Sequence, residues 1–114
     1  MSEDDEIERF AAVLEDSTAR KILTEASQKP MSATTLSEHC GVSEPTIYRR
    51  LEDLRDCDLL IERTKLDTDG GHHRTMYVTN FERLTVELRG RELHLQVDRR
   101  EDPADRFTRL IERM

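Results

Sequence analysis

Tryptophan is missing from this chain of 114 residues, and aromatic residues of all kinds make up only 4% of it. Hydrophobic residues amount to 35%. That is too little material for two independent cores, and one compact domain with an appendage is the expectation. No uninterrupted apolar run approaches the roughly 20 residues of a membrane span. Cysteine occurs twice, at Cys40 and Cys57, which excludes a secreted disulfide framework. Both fall at apolar positions of predicted helices, where reduced, buried thiols are expected. The opening residues Met1 to Glu6 are acidic where a secretory signal would be basic and then apolar, so a cytoplasmic location is the default.

Lysine is scarce as well: Lys21, Lys29 and Lys65 are three of 18 basic residues, and arginine supplies the rest. Charged residues reach 38% and the net charge is −7, the wrong sign for a simple nucleic-acid binder. The carboxylates are spread over polar faces. No Gly-rich phosphate loop, nucleophile–base pair or metal motif accompanies them, so neither an enzyme nor a cofactor is expected. His39-Cys40 with the distant Cys57, His72 and His73 does not have the spacing of a metal site.

Helical periodicity dominates the first half. Ile7, Phe10, Ala11 and Leu14 predict a helix from about Asp4 to Glu15. Asp16 is a suitable N-cap for a second helix carrying Ala19, Ile22, Leu23 and Ala26, which Pro30 ends. Ser32 caps a short third helix with Leu36 and Cys40 on its apolar side, and Gly41 breaks it. Ser43 caps a fourth, with Pro45 in its first turn, where a missing N–H costs nothing. Ile47, Leu51 and Leu54 form its core stripe.

Beyond Asp58 the period changes. Residues 59–66 and 74–79 read as strands joined by the turn-rich tip Asp67-Thr-Asp-Gly-Gly-His-His. A second hairpin follows, with Gly90-Arg91 at a tight turn of expected type II′. This register pairs Leu84 with Val97, Val86 with Leu95 and Leu88 with Leu93 on one face. The other face pairs Arg89 with Glu92 and Glu87 with His94. Asp102 and Pro103 then open a predicted last helix with the stripe Phe107, Leu110, Ile111 and Met114.

The informative turn joins the third and fourth helices. Leu36, Ser37, Cys40, Gly41, Val42, Ile47 and Leu51 have helix-turn-helix spacing. Ser37 is small enough for close helix approach, Gly41 supplies the turn, and Val42 plugs the corner. This geometry pushes the helix Ser43–Cys57 outward, so that its N-terminal half can enter a major groove. The expected fold is α+β: a winged helix-turn-helix, with a three-helix core carrying the reading helix and a β-hairpin wing, followed by a second β-hairpin and a C-terminal helix. Residues 1–80 would form the DNA-binding domain and residues 81–114 a dimerisation or accessory module.

In Leu14-Glu-Asp-Ser-Thr-Ala-Arg-Lys-Ile-Leu23 and in Leu36 to Leu54 the chain resembles the ArsR-like winged helix regulators, particularly those of halophilic archaea. The acidic, arginine-rich composition is similar to that of proteins from salt-loving archaea. At 1 M salt the Debye length is about 3 Å, so net charge repels DNA only weakly. The resemblance implies operator binding as a homodimer and transcriptional regulation. Paired cysteines of the metal-sensing relatives are absent, so metal sensing is not carried over.

Tyr48 and Arg49 are the candidates for base edges, since arginine pairs bidentately with guanine. Ser43, Thr46 and Arg50 suit phosphates, with Glu44 and Pro45 on the same helix start and Thr34 and Thr35 holding the backbone from the preceding helix. On the wing, Lys65 and Arg74 flank a groove, with His72 and His73 at the tip. Salt bridges from Arg49 or Arg50 to Glu44, Glu52 or Asp53 are the competing use of these arginines. Between Gly41 and Thr75 there are six basic and eight acidic residues, so any positive face has to arise by segregation in space.

An isolated two-stranded hairpin is marginal in water. Leu84, Val86, Leu88, Leu93, Leu95 and Val97 therefore need cover. Phe107, Leu110, Ile111 and Met114 are expected to provide it, from the same chain or from a partner in a homodimer. The competing function is a winged helix of the transcription machinery that contacts protein through its acidic surface. The sequence names no effector.

Overall fold

The computed structural model describes residues 3–66 and 73–100. Four helices come first: α1 (Glu3–Glu15), α2 (Ser17–Gln28), α3 (Ala33–Cys40) and α4 (Glu44–Asp56). Two antiparallel hairpins follow, β1 (Leu60–Leu66) with β2 (His73–Thr79) and β3 (Phe81–Arg89) with β4 (Glu92–Arg99). The chain is α+β. The predicted last helix, with Phe107, Leu110, Ile111 and Met114, lies outside the described residues, as does His72.

Each helix starts where its cap is. Four carboxylates, Glu3, Asp4, Asp5 and Glu6, occupy the first turn of α1 and complement its dipole. Asp16 accepts the Ala19 N–H at 2.8 Å and starts α2. Ser32 and Ser43 cap α3 and α4 through the N–H groups of Thr35 and Thr46. Pro45 sits in the first turn of α4. The apolar stripe of α1 differs from expectation in one residue, since Phe10 and Val13 are buried while Ala11 is exposed. A valine has more apolar surface to remove from water than an alanine methyl, and the helix rotates accordingly.

The end of α4 is a Schellman motif. Asp58 adopts φ 56°. Its N–H donates to Arg55 O, and the Leu59 N–H reaches back to Leu54 O at 3.0 Å. Leu54 and Leu59, the apolar pair that accompanies such a cap, are both fully buried. The sharp turn sends the chain directly into β1.

Around α2 the core closes. Ile22, Leu36, Ile47, Leu51, Leu54 and Leu59 are its largest fully buried side chains. The buried Thr79 hydroxyl donates to Leu23 O at 2.6 Å, fixing β2 against α2. Met31, between α2 and α3, exchanges backbone hydrogen bonds with Tyr77 at 3.0 and 2.8 Å. The first hairpin is thereby held on both its α2 and α3 sides.

The second hairpin has the expected apolar register, with Leu84 opposite Val97, Val86 opposite Leu95 and Leu88 opposite Leu93. Its turn differs. Gly90 and Arg91 both have positive φ, 58° and 67°, the signature of type I′ and not of the expected II′. The two types span the same number of residues, so the pairing is unchanged. On the polar face Arg89 stands opposite Glu92 and Glu87 opposite His94, as expected, but the ion pairs run elsewhere. Glu87 meets Arg89 along its own strand at 3.4 Å, and His94 Nδ1 lies 3.0 Å from Glu3 of α1. Phe81, Leu84, Leu95 and Val97 pack against the core. Val86, Leu88 and Leu93, nearer the turn, remain 56%, 73% and 43% exposed.

Candidate nucleic-acid interface

The turn between α3 and α4 is tied to one residue. Gly41 and Val42 both donate their N–H groups to Ser37 O, at 2.9 and 3.3 Å, and the Ser37 hydroxyl donates to Val42 O. Gly41 takes φ 68°, the left-handed conformation this corner requires. Leu36, Ile47 and Leu51 are buried behind it and Val42 is half-buried. With that stripe turned inward, Ser43, Glu44, Pro45, Tyr48 and Arg49 are left exposed at the N-terminal half of α4.

The two arginines of this helix part ways. Arg49 is exposed and its guanidinium donates to the Thr46 hydroxyl at 3.4 Å. No carboxylate of the described residues forms an ion pair with it. Arg50 turns to the other side. Its Nε lies 2.9 Å from Asp16 Oδ2, and Nη1 is 3.8 Å from Asp53. The expected phosphate role of Arg50 thus meets a competing ion pair, although the sequence pointed to Asp53 and not to Asp16. Asp16 is the residue that sequence reasoning passed over. It was legible as a cap, but nothing local signals a partner on α4.

Other polar groups on the helix start are joined in a short network. Thr34 donates to a Glu44 carboxylate oxygen at 2.7 Å, and the Ser43 and Thr46 hydroxyls are 3.0 Å apart. Thr34, Thr35, Tyr48 and Arg74 come together around one groove of about 360 Å³, with Ser32, Ala33 and Thr75. The groove joins three elements that are distant in sequence: the start of α3, the exposed side of α4 and β2. Ser32 and Thr75 were not anticipated there. Hydroxyls and one guanidinium line it, and among the described residues no carboxylate does.

Lys65 and Arg74 are directly opposite each other across β1 and β2. Both are exposed, and neither forms an ion pair among the described residues. Like charges in that relation repel. One step further out, His73 is paired with Leu66 and is exposed. Three acidic residues of this stretch have partners of their own, Glu62 with Arg55 at 2.6 Å, Asp53 with Arg50, and Glu44 with Thr34, whereas Glu52, Asp56 and Asp58 form no ion pair among the described residues. Arg49, Lys65 and Arg74 thus form no ion pair with a carboxylate among the described residues.

The arrangement of α3, the turn and α4 is that of a helix-turn-helix. Residues 14–63 match the model of a family described as a helix-turn-helix domain. The match runs from the end of α1 through α4 into β1 and takes in the whole turn. No curated protein matches the chain. No helix among the described residues is long and apolar enough to cross a membrane.

Proposed function

We propose that the chain is a sequence-specific, ArsR-like transcriptional regulator that binds operator DNA as a homodimer. The α4 helix enters the major groove, and the β1–β2 hairpin serves as a wing along the backbone. The observation that carries this reading is the facing pair Lys65 and Arg74, held opposite each other with no carboxylate partner among the described residues. Such a pair is costly until an anion lies between or beside its members, and a DNA phosphate supplies one. Arg49 and Tyr48 are on the exposed side of α4 for base contact, and Thr34 and Thr35 line the adjoining groove for the backbone. An arginine-rich, acidic composition suits work at high salt, where screening shortens the repulsion from the remaining carboxylates.

The test is a genome-wide binding map in high salt, followed by affinity measurements on the recovered sites. Arg49→Ala is expected to weaken specific binding by about tenfold or more, in line with a lost bidentate base contact. Lys65→Ala and Arg74→Ala are expected to weaken all DNA alike and each to reduce the salt slope by about 1. Binding no tighter to recovered sites than to random duplex would overturn the proposal. The acidic surface, with a net charge of −7, favours a second reading, in which the fold contacts a basic protein of the transcription machinery. That reading gains if wild-type protein has no DNA affinity in high salt.

A further inference from the structure

On the side of α4 away from the DNA-facing groove, α1, the start of α2 and α4 enclose a cavity of about 310 Å³. Its floor is apolar. Val13, Ala19 and Cys57 are buried there, and Ala12 flanks them. Its rim is charged, with Asp16, Asp53 and Asp56 against Arg9 and Arg50. Both guanidiniums have neighbours: Arg50 lies at ion-pair distance from Asp16 and Asp53, although its buried Nε makes no hydrogen bond, and Arg9 has contacts of its own. Asp56 forms no ion pair among the described residues. An adjoining hollow of about 210 Å³ shares Arg9, Asp56 and Cys57 and adds Glu6, Asp58 and Arg99 to the rim.

We infer that this cavity binds a small amphipathic cation, an ammonium group on an aromatic or aliphatic body. The volume is at the lower end of ligand pockets, about 300–1,000 Å³, which matches a compact ligand. Three carboxylates against two arginines already engaged leave the rim one negative charge in excess. An anionic ligand meets repulsion from Asp53 and Asp56, and a neutral apolar one leaves the unpaired Asp56 beside a dehydrated surface. The Cys57 thiol on the floor senses the same field. Burial raises its pKa, Arg9 opposes the rise, and Asp56, Asp53 and Asp58 add to it.

Occupancy has a route to the reading helix. Arg50 forms part of the cavity wall and holds α4 to Asp16 at the α1–α2 corner. A cation that draws Asp53 or Asp16 to itself loosens that tie, on the side of the helix away from Tyr48 and one turn from Arg49. This regulatory consequence rests on the DNA-binding reading proposed above. Binding in the cavity does not.

The experiment titrates the full chain with benzylammonium, benzyl alcohol and benzoate, following backbone amide shifts at fixed ionic strength. Benzylammonium is expected to shift Ala12, Val13, Ala19 and Cys57, and to bind several-fold more tightly than either analogue. Asp56→Asn is expected to weaken it by about fivefold, the scale of one exposed ion pair. Ala12→Phe, which fills the cavity from an exposed helix position and keeps every charge, is expected to abolish it. Equal binding of benzyl alcohol, or shifts confined to other residues, would overturn the proposal. So would an absence of benzylammonium binding accompanied by shifts of residues 101–114 in Asp56→Asn, since the chain's own arginine-bearing C-terminal segment would then be the occupant. A separate DNA titration with benzylammonium present reads the coupling. Loss of DNA binding in every condition would sink the functional proposal and leave the cavity result standing.

Discussion

Asp16 holds two groups at once: the Ala19 N–H at 2.8 Å as cap of α2, and the Arg50 guanidinium at 2.9 Å. The pair joins the corner between α1 and α2 to the back of α4. Substitution separates its two contributions. Asp16→Asn retains an oxygen that can cap, and loses the charge. Both side chains are about one-third exposed, so this variant is expected to lose less than about 1 kcal/mol. Asp16→Ala also loses the cap and is expected to cost about 1–2 kcal/mol. Urea midpoints at unchanged m-value measure both. Equal losses in the two variants would show that the cap contributes nothing.

That pair also marks where the sequence stops being legible. Caps at Asp16, Ser32 and Ser43, the break at Gly41 and the stripe Ile47, Leu51, Leu54 are local patterns, and the four helices follow from them. The second hairpin's register was readable because a two-residue turn fixes every pair behind it. Its turn type was not, since types I′ and II′ differ only in how one peptide is oriented. Arg50 borders the buried stripe of α4, one residue before Leu51. Only a distant carboxylate decides which way such a side chain turns. The placement of Lys65 opposite Arg74 is likewise a product of strand pairing, which counting charges from 41 to 75 does not reveal.

Among the described residues, two other than glycine adopt positive φ, Asp58 at 56° and Arg91 at 67°. A side chain in this region costs roughly 1–2 kcal/mol, less for Asp than for a longer residue. Arg91→Gly is therefore expected to raise stability by about 1 kcal/mol, and Asp58→Gly by a few tenths, read as thermal midpoints. Arg91→Ala keeps the strain and is expected to give no gain. A matching gain in Arg91→Ala would attribute the effect to loss of the side chain and not to the backbone.

Cys57 and Tyr77 make the fold sensitive to alkali. Burial raises the Cys57 thiol, with Arg9 opposing and Asp56, Asp53 and Asp58 reinforcing. Burial also raises Tyr77, reinforced by Glu62 and Tyr48 and opposed by Arg55. Each group is neutral when protonated, so a raised folded pKa means that the native state holds its proton more tightly than the unfolded chain. The associated stability is complete below the unfolded values, about 8.5 for Cys and 10 for Tyr, and is lost as pH rises through the folded ones. Stability is expected to decline from about pH 8.5 upward. Cys57→Ala should flatten the first part of that decline and Tyr77→Phe the later part, as followed by urea midpoints between neutral and alkaline pH. An unchanged slope in both variants would place the alkaline sensitivity elsewhere.

The exposed end of the second hairpin bears on the proposed dimer. Leu84, Leu95 and Val97 are packed against the core, whereas Leu88 on the same face is 73% exposed. A two-stranded ribbon with one bare apolar end is marginal by itself and gains from being covered. If a second copy covers it, Leu88→Asp is expected to convert the dimer to a monomer in sedimentation. The fold within each chain has little to lose, because Leu88 is not part of the core. Leu84→Asp provides the contrast: it places a carboxylate against the core and is expected to lower stability as well as association. In the homodimer arrangement the two α4 helices are held about 34 Å apart, one turn of DNA. Leu88→Asp should then lose affinity for a palindromic site much more than for a single half-site. A wild-type monomer at micromolar concentration, or a Leu88→Asp dimer of undiminished mass, would remove this hairpin from the interface.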